Sequence, residues 1–167
     1  MKTINSIDKI NQLTKNDFID IFGNVFEKTY WIADKTFNLK PYKNFNELLS
    51  IFFKIYENSS REDCLKIFNA HPELAIEKKL TEDSHKEQKG ANLNHCNNEE
   101  FNEFKNLNYE YKKRFGFPFI IAVKGKSKSE ILSNFRKRIK NEINLEFEEA
   151  KKQVKKIADF RLKEIIS

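Results

Sequence analysis

The chain has 167 residues and a mass of 19.9 kDa, a size that suits one domain over residues 1–167. Hydrophobic residues make up 39% of the sequence, enough to form a core, so wholesale disorder is excluded. Four glycines and three prolines are too few for an architecture of many tight turns, so helices are favoured over strands. The net charge is +6, and the sequence contains neither a run of roughly 20 apolar residues nor an apolar signal segment, so we expect a cytoplasmic protein that does not cross a membrane.

Capping residues followed by apolar side chains three and four positions apart predict helices along the whole chain. The predicted starts are Thr14, Asn44, Ser60, Asn97 and Ser127, with a short helix from near Thr81 and a last helix from about Leu145. The helix that begins at Ser60 should end near Ala70, because Pro72 disfavours helical backbone at His71. Together these signals predict an all-α protein, a compact bundle of about six to eight helices.

The segment 71–96 is polar and contains all three histidines, His71, His85 and His95. Their separations of 14 and 10 residues match neither a helical His-x-x-x-His pair nor a Cys/His knuckle. We therefore expect no metal site. A Gly-rich phosphate loop and a nucleophile elbow are also absent, so no cofactor is expected.

The short helix near Thr81 places three polar residues on one face, because Ser84, Glu87 and Gln88 occupy positions i, i+3 and i+4. Such a face can bind a small polar molecule. The same residues also fit ordinary helix capping, with Glu87 exposed to solvent. The pattern alone leaves both interpretations open.

An apolar run, Phe-Pro-Phe-Ile-Ile-Ala-Val at 117–123, is too short for an independent helix. In a helical protein it predicts a short buried extended segment whose backbone N–H and C=O groups need partners. Some of those groups could serve a ligand.

Basic residues concentrate near the C-terminus. Residues 124–163 hold 13 Lys or Arg against 6 Asp or Glu, whereas the rest of the chain holds 18 against 19. This distribution would suit a helical nucleic-acid-binding module, although no aromatic residues alternate with the lysines in a base-stacking pattern. We expect no nucleic-acid partner and keep this function as an alternative.

Three blocks of sequence resemble, in this order, the signature blocks of the 2-oxo-4-hydroxy-4-carboxy-5-ureidoimidazoline (OHCU) decarboxylases of uric acid breakdown. They read His71-Pro72-Glu73-Leu74-Ala75, Ser84-x-x-Glu87-Gln88 and Arg114-Phe115-Gly116-Phe117-Pro118-Phe119-Ile120-Ile121-Ala122-Val123. Weaker likeness occurs at Phe22-Gly23-Asn24-Val25-Phe26-Glu27, Leu107-Asn108-x-x-Tyr111 and Ile157-Ala158-x-x-Arg161-Leu162. The resemblance thus covers nearly the whole chain.

The resemblance implies an all-helical, usually dimeric, cofactor-independent carboxy-lyase that converts the ureidoimidazoline substrate to (S)-allantoin. It implies that His71 is the acid–base residue and that Glu87 is the second catalytic residue. The substrate contacts that it implies are Pro72, Ser84, Gln88, Arg161 and the backbone of Phe119, Ile120, Ile121, Ala122 and Val123.

One departure from the family's pattern concerns the connection between the first two blocks. Only twelve residues separate His71 from Ser84, and Ile76 follows Ala75 where the family often has glycine. The short connection affects the predicted placement of His71 relative to Glu87 more than the identity of either residue. It is also the best support for a further alternative, a catalytically inactive helical scaffold of the same fold.

Overall fold

The computed structural model of the protein describes residues 3–76 and 80–166. Within these two ranges the chain forms nine α-helices and no β-strand, which confirms the all-α class. The helices are α1 (Ile7–Asn11), α2 (Lys15–Phe22), α3 (Tyr30–Phe37), α4 (Phe45–Glu57), α5 (Arg61–Ala70), α6 (Glu82–Gly90), α7 (Asn98–Phe115), α8 (Lys128–Arg138) and α9 (Ile143–Ile166). No helix in the described ranges has the length and apolar character that crossing a membrane requires.

Capping explains where most of these helices begin, and the starts predicted at capping residues are confirmed. The side chains of Thr14, Asn44, Ser60, Thr81, Asn97 and Ser127 each accept a hydrogen bond from the backbone N–H three residues later. Asn97 and Glu100 form a reciprocal capping box, with distances of 2.8 and 3.0 Å. Gly116 closes α7 with a left-handed φ of 80°.

The predicted count of six to eight helices is too low for the described residues, because two helices lack a sequence signal. The first of these, α1, has only five residues. The second, α3, follows Thr29, whose side chain makes no capping bond and instead donates to the carbonyl of Glu27 at 2.8 Å. In addition, α9 begins at Ile143, two residues before the predicted Leu145.

The contacts within the chain group it into two compact units. The first unit runs to Ala70 and resumes at Lys155, and its core contains an aromatic cluster in which Phe18 contacts Phe22, Phe37, Tyr42 and Phe52. A buried ion pair also stabilises this unit, with Arg161 Nη2 lying 2.8 Å from Glu27 Oε2. The single domain over residues 1–167 stays a prediction.

The second unit, His71–Val154, contains the candidate catalytic residues of the first two sequence blocks. Its core is built around Tyr111, whose ring contacts those of Phe115, Phe117, Phe119 and Phe135. The Phe119 and Phe135 rings stack with their centroids 3.9 Å apart. The apolar run at 117–123 is therefore part of this core, and as predicted it is buried and non-helical.

Candidate functional site

His71 lies immediately after the end of α5, as predicted from Pro72, and only 8% of its surface is exposed. The chain then makes a turn in which Leu74 and Ala75 are buried. Ala75 has a φ of 54°, a left-handed conformation that is rare for a residue with a Cβ atom. The surroundings must therefore hold this turn in place, because the backbone alone would not favour it.

The short helix α6 presents one face to the interior of the second unit, as its spacing predicts. Ser84 and Gln88 are buried, Glu87 is half-buried, and His85 is exposed. Two buried polar side chains on this nine-residue helix need hydrogen-bond partners inside the protein, while Thr81 caps the helix through the N–H of Ser84. The use of this face to bind a ligand stays a prediction.

Gln88 holds the turn that follows His71-Pro72. Its Oε1 accepts from the N–H of Ala75 at 3.1 Å, and its Nε2 donates to the carbonyl of Glu73 at 3.2 Å. These bonds use one lone pair of the amide oxygen and one of the two amide N–H groups. One further acceptor position and one further N–H group of the Gln88 side chain remain for other hydrogen bonds. The connection that follows includes residues 77–79, which lie outside the described residues.

A second carboxamide, which the sequence analysis did not single out, contacts the same turn. Asn108 of α7 is 3% exposed, and its Nδ2 donates to the carbonyl of Leu74 at 2.9 Å. Two features of the sequence could have indicated Asn108. It belongs to the Leu107-Asn108-x-x-Tyr111 block that resembles the family, and it is a polar residue on the apolar side of a helix.

The segment 119–123 is buried at every position, and two side chains hold its backbone. Nη1 of Arg138 donates to the carbonyl of Ile120 at 2.7 Å, and Oε1 of Gln153 accepts from the N–H of Ala122 at 3.0 Å. Among the described residues, the N–H groups of Ile121 and Val123 have no hydrogen-bond acceptor. Backbone donors are therefore present in an apolar environment.

Arg138 belongs to a buried charged network. Its Nε donates to Glu146 Oε1 at 2.8 Å, and its Nη2 lies 2.6 Å from the same oxygen, an ion-pair distance without hydrogen-bond geometry. The Tyr111 hydroxyl also donates to Glu146, and Asn141 Nδ2 donates to its other oxygen at 3.0 Å. Burial and, next, the bond to Glu146 raise the pKa of Tyr111, so this hydroxyl stays protonated.

Arg161, the remaining predicted substrate contact, belongs to the first unit. Its Nη1 donates to the carbonyl of Asn24 at 2.9 Å, and its Nη2 donates to Glu27. Its guanidinium is thus engaged in the ion pair that stabilises this unit. A substrate contact by Arg161 stays a prediction.

The basic residues near the C-terminus include several that pair with carboxylates. Buried Arg138 and Arg161 do so, as do Lys128, Arg136, Lys155 and Lys163 nearer the surface. Pairing of this kind lowers the positive charge available to a polyanion. Histidine, cysteine and acidic residues form no group of three or more suited to a metal ion in the described ranges.

Comparison with known proteins identifies relatives over nearly the full length of the chain. Residues 11–163 match the family model described as OHCU decarboxylase. A "uric acid degradation bifunctional protein" of Bacillus sp. (strain TB-90) is 39% identical over 159 residues, which are 95% of this chain and 32% of that protein. An OHCU decarboxylase of Haloferax volcanii is 33% identical over 162 residues, covering 97% of this chain and 96% of the relative.

The chain spans about a third of the length of the Bacillus bifunctional proteins that it matches. Among solved structures, a crystal structure of (S)-allantoin synthase has a TM-score of 0.79 and 23% identity, covering 98% of this chain and 54% of the other, and shows a shared fold. An OHCU decarboxylase crystallised in the presence of (S)-allantoin has a TM-score of 0.69 and 25% identity, and the match covers 84% of this chain and 93% of the other.

Proposed function

Because the chain belongs to the OHCU decarboxylase family, we propose that it is a carboxy-lyase that converts 2-oxo-4-hydroxy-4-carboxy-5-ureidoimidazoline to (S)-allantoin in uric acid degradation. The observation that carries this proposal is the arrangement around His71. A buried histidine at a helix end is followed by a turn that two carboxamides hold, and the same unit contains buried backbone donors at 119–123.

The proposed roles of the site residues follow the family resemblance. His71 acts as acid and base, and Glu87 is the second catalytic residue. Pro72, Ser84 and the remaining hydrogen-bonding positions of Gln88 contact the substrate. The backbone of Phe119, Ile120, Ile121, Ala122 and Val123 meets its ring and ureido groups, and Arg161 is a further substrate contact.

Loss of carbon dioxide leaves an electron pair on the substrate carbon, and the conjugated imidazoline ring can accept that pair itself. The protein then has two tasks, positioning and proton transfer. An apolar wall at Phe119 and Ile121 removes water from the substrate carboxylate, which favours dispersal of its charge as carbon dioxide leaves. Backbone N–H groups of this segment stabilise the negative charge that develops on the ring.

Proton delivery determines the product. An imidazole side chain can both donate and accept a proton, which suits a residue that acts as acid and base. In this proposal His71 delivers its proton to one face of the carbanion only, so that one enantiomer of allantoin forms. We further propose a cytoplasmic location, and a homodimer as the resemblance implies. Sedimentation of the purified protein tests the dimer.

The test measures stereochemistry as well as rate. Purified protein is mixed with freshly generated substrate, and the optical activity of the allantoin is followed. We expect (S)-allantoin from the unmodified protein and racemate, at the uncatalysed rate, from the His71→Asn variant. The matched control is His85→Asn, which changes an exposed histidine of the same unit and should leave the activity intact. Racemate from the unmodified protein would refute the proposed function.

A further inference from the structure

Two carboxamides bind three consecutive residues of the turn that follows His71-Pro72. Gln88 binds the carbonyl of Glu73 and the N–H of Ala75, and Asn108 binds the carbonyl of Leu74 between them. The two amides come from different helices, α6 and α7. The turn is therefore held by side chains that are distant in sequence, at separations of 13 to 34 residues.

The environment of Asn108 indicates that packing alone does not explain this residue. Its Oδ1 is buried and accepts no hydrogen bond within the described residues. A buried acceptor without a donor destabilises the folded state, whereas a leucine of similar size would avoid that cost. The amide at this position is thus explained by its one bond, from Nδ2 to the Leu74 carbonyl.

The left-handed φ of Ala75 shows why this bond matters for His71. A residue with a Cβ atom stays in that conformation only where its neighbours impose it. If Leu74 were released, the turn could relax to a more favourable backbone conformation. Since His71 is three residues before Leu74, the relaxation would move the imidazole.

The helix that carries Asn108 also holds the other part of the proposed site. Tyr111 lies three residues further along α7 and bonds Glu146, which pairs with Arg138, and Arg138 in turn holds the carbonyl of Ile120. Positions i and i+3 share a helix face. One face of α7 is therefore connected both to the turn after His71 and to the backbone of 119–123.

We propose that Asn108 is a positioning residue of the decarboxylase: its bond to Leu74 sets where the His71 imidazole lies relative to the backbone of residues 119–123. The inference rests on the function proposed above. Asn108 acts through the turn, so its loss should affect proton delivery more than substrate binding.

The experiment replaces Asn108 by Leu, which has a similar size and no donor, and by Asp, which keeps the shape and cannot donate while ionised. We expect kcat to fall about tenfold to a hundredfold, as for small displacements of a reacting group, with KM changed less than about threefold. The excess of (S)-allantoin should fall as well, because a displaced imidazole protonates the carbanion too slowly to compete with water. The matched control is Asn106→Leu on the same helix, where the asparagine is exposed.

The outcomes separate this inference from the proposed function. Variants of Asn108 that keep the kcat and enantiomeric excess of the unmodified protein while unfolding at lower temperature would make the residue purely structural and overturn the inference. An increase in KM alone would make it a substrate contact and also overturn it. Failure of both variants to fold would assign Asn108 to stability only. By contrast, if the unmodified protein gave racemic allantoin at the uncatalysed rate, the proposed function itself would fail.

Discussion

Replacement of Glu146 by Gln tests the buried network that holds the segment 119–123. The carboxylate of Glu146 is fully buried and accepts hydrogen bonds from Tyr111, Arg138 and Asn141. Glutamine keeps the shape and one acceptor oxygen but removes the negative charge. The guanidinium of Arg138, whose side chain is only 8% exposed, would then lack its counter-ion.

The expected loss follows from burial. Removing one partner of a buried ion pair leaves an uncompensated charge and typically costs about 3–5 kcal/mol of the free energy of unfolding. Because glutamine keeps one acceptor oxygen, we expect Glu146→Gln to cost about 3 kcal/mol, the lower end of this range. The same change at Glu103, whose pair with Arg136 is 34% and 54% exposed, should cost no more than about 1 kcal/mol.

Urea titrations followed by circular dichroism at constant pH measure both variants. We also expect the double variant Arg138→Met/Glu146→Leu to recover much of the lost stability, since it removes the charges together. It should not recover decarboxylase activity, because Met cannot donate to the carbonyl of Ile120. The reasoning is refuted if Glu146→Gln and Glu103→Gln lose the same free energy of unfolding.

Two further predictions concern stability. Burial raises the pKa of Tyr42 above its ordinary 10.0, so the folded state keeps a proton that the unfolded chain loses, and the free energy of unfolding should fall as the pH rises above 10. In urea titrations from about pH 9 to about pH 11, Tyr42→Phe should make this fall shallower, and an unchanged slope would contradict the assignment. A Cβ atom at Gly90 or at Gly116 would meet no atom within 4 Å, yet the two changes should have opposite effects. Gly90→Ala should raise the free energy of unfolding by about 0.5–1 kcal/mol, because Gly90 lies inside α6, where alanine is the better helix former. Gly116→Ala should lower it by about 1–2 kcal/mol, because Gly116 has a left-handed φ of 80°. Thermal unfolding measures both, and effects of the same sign would contradict the backbone argument.

Local chemistry made much of the fold predictable from the sequence. A capping side chain and its N–H partner are three residues apart, so pairs such as Thr14 with Asp17 can be recognised without the fold. The end of α5 before His71 follows from Pro72 in the same way. Helix α3 lacks such a signal, because Thr29 bonds the Glu27 carbonyl instead of a helical N–H.

The partners of the candidate site residues could not be predicted, because they depend on contacts between distant segments. The spacing of α6 shows that Gln88 shares a face with Ser84, but nothing local indicates that Gln88 bonds Glu73 and Ala75. Arg138 was counted in the basic C-terminal region, yet it is buried and bound to Glu146. Charge along a sequence does not reveal which charges are buried.

The two units differ in when their partners become available during synthesis. Glu27 and Arg161 are 134 residues apart, and at roughly 5–20 residues per second a ribosome needs about 7–27 s to make that length of chain. By contrast, the described hydrogen bonds of Gln88, Asn108 and Arg138 all close within residues 71–154. Translation therefore supplies both carboxamides that bind the turn after His71 before it supplies the guanidinium of Arg161 that pairs with Glu27.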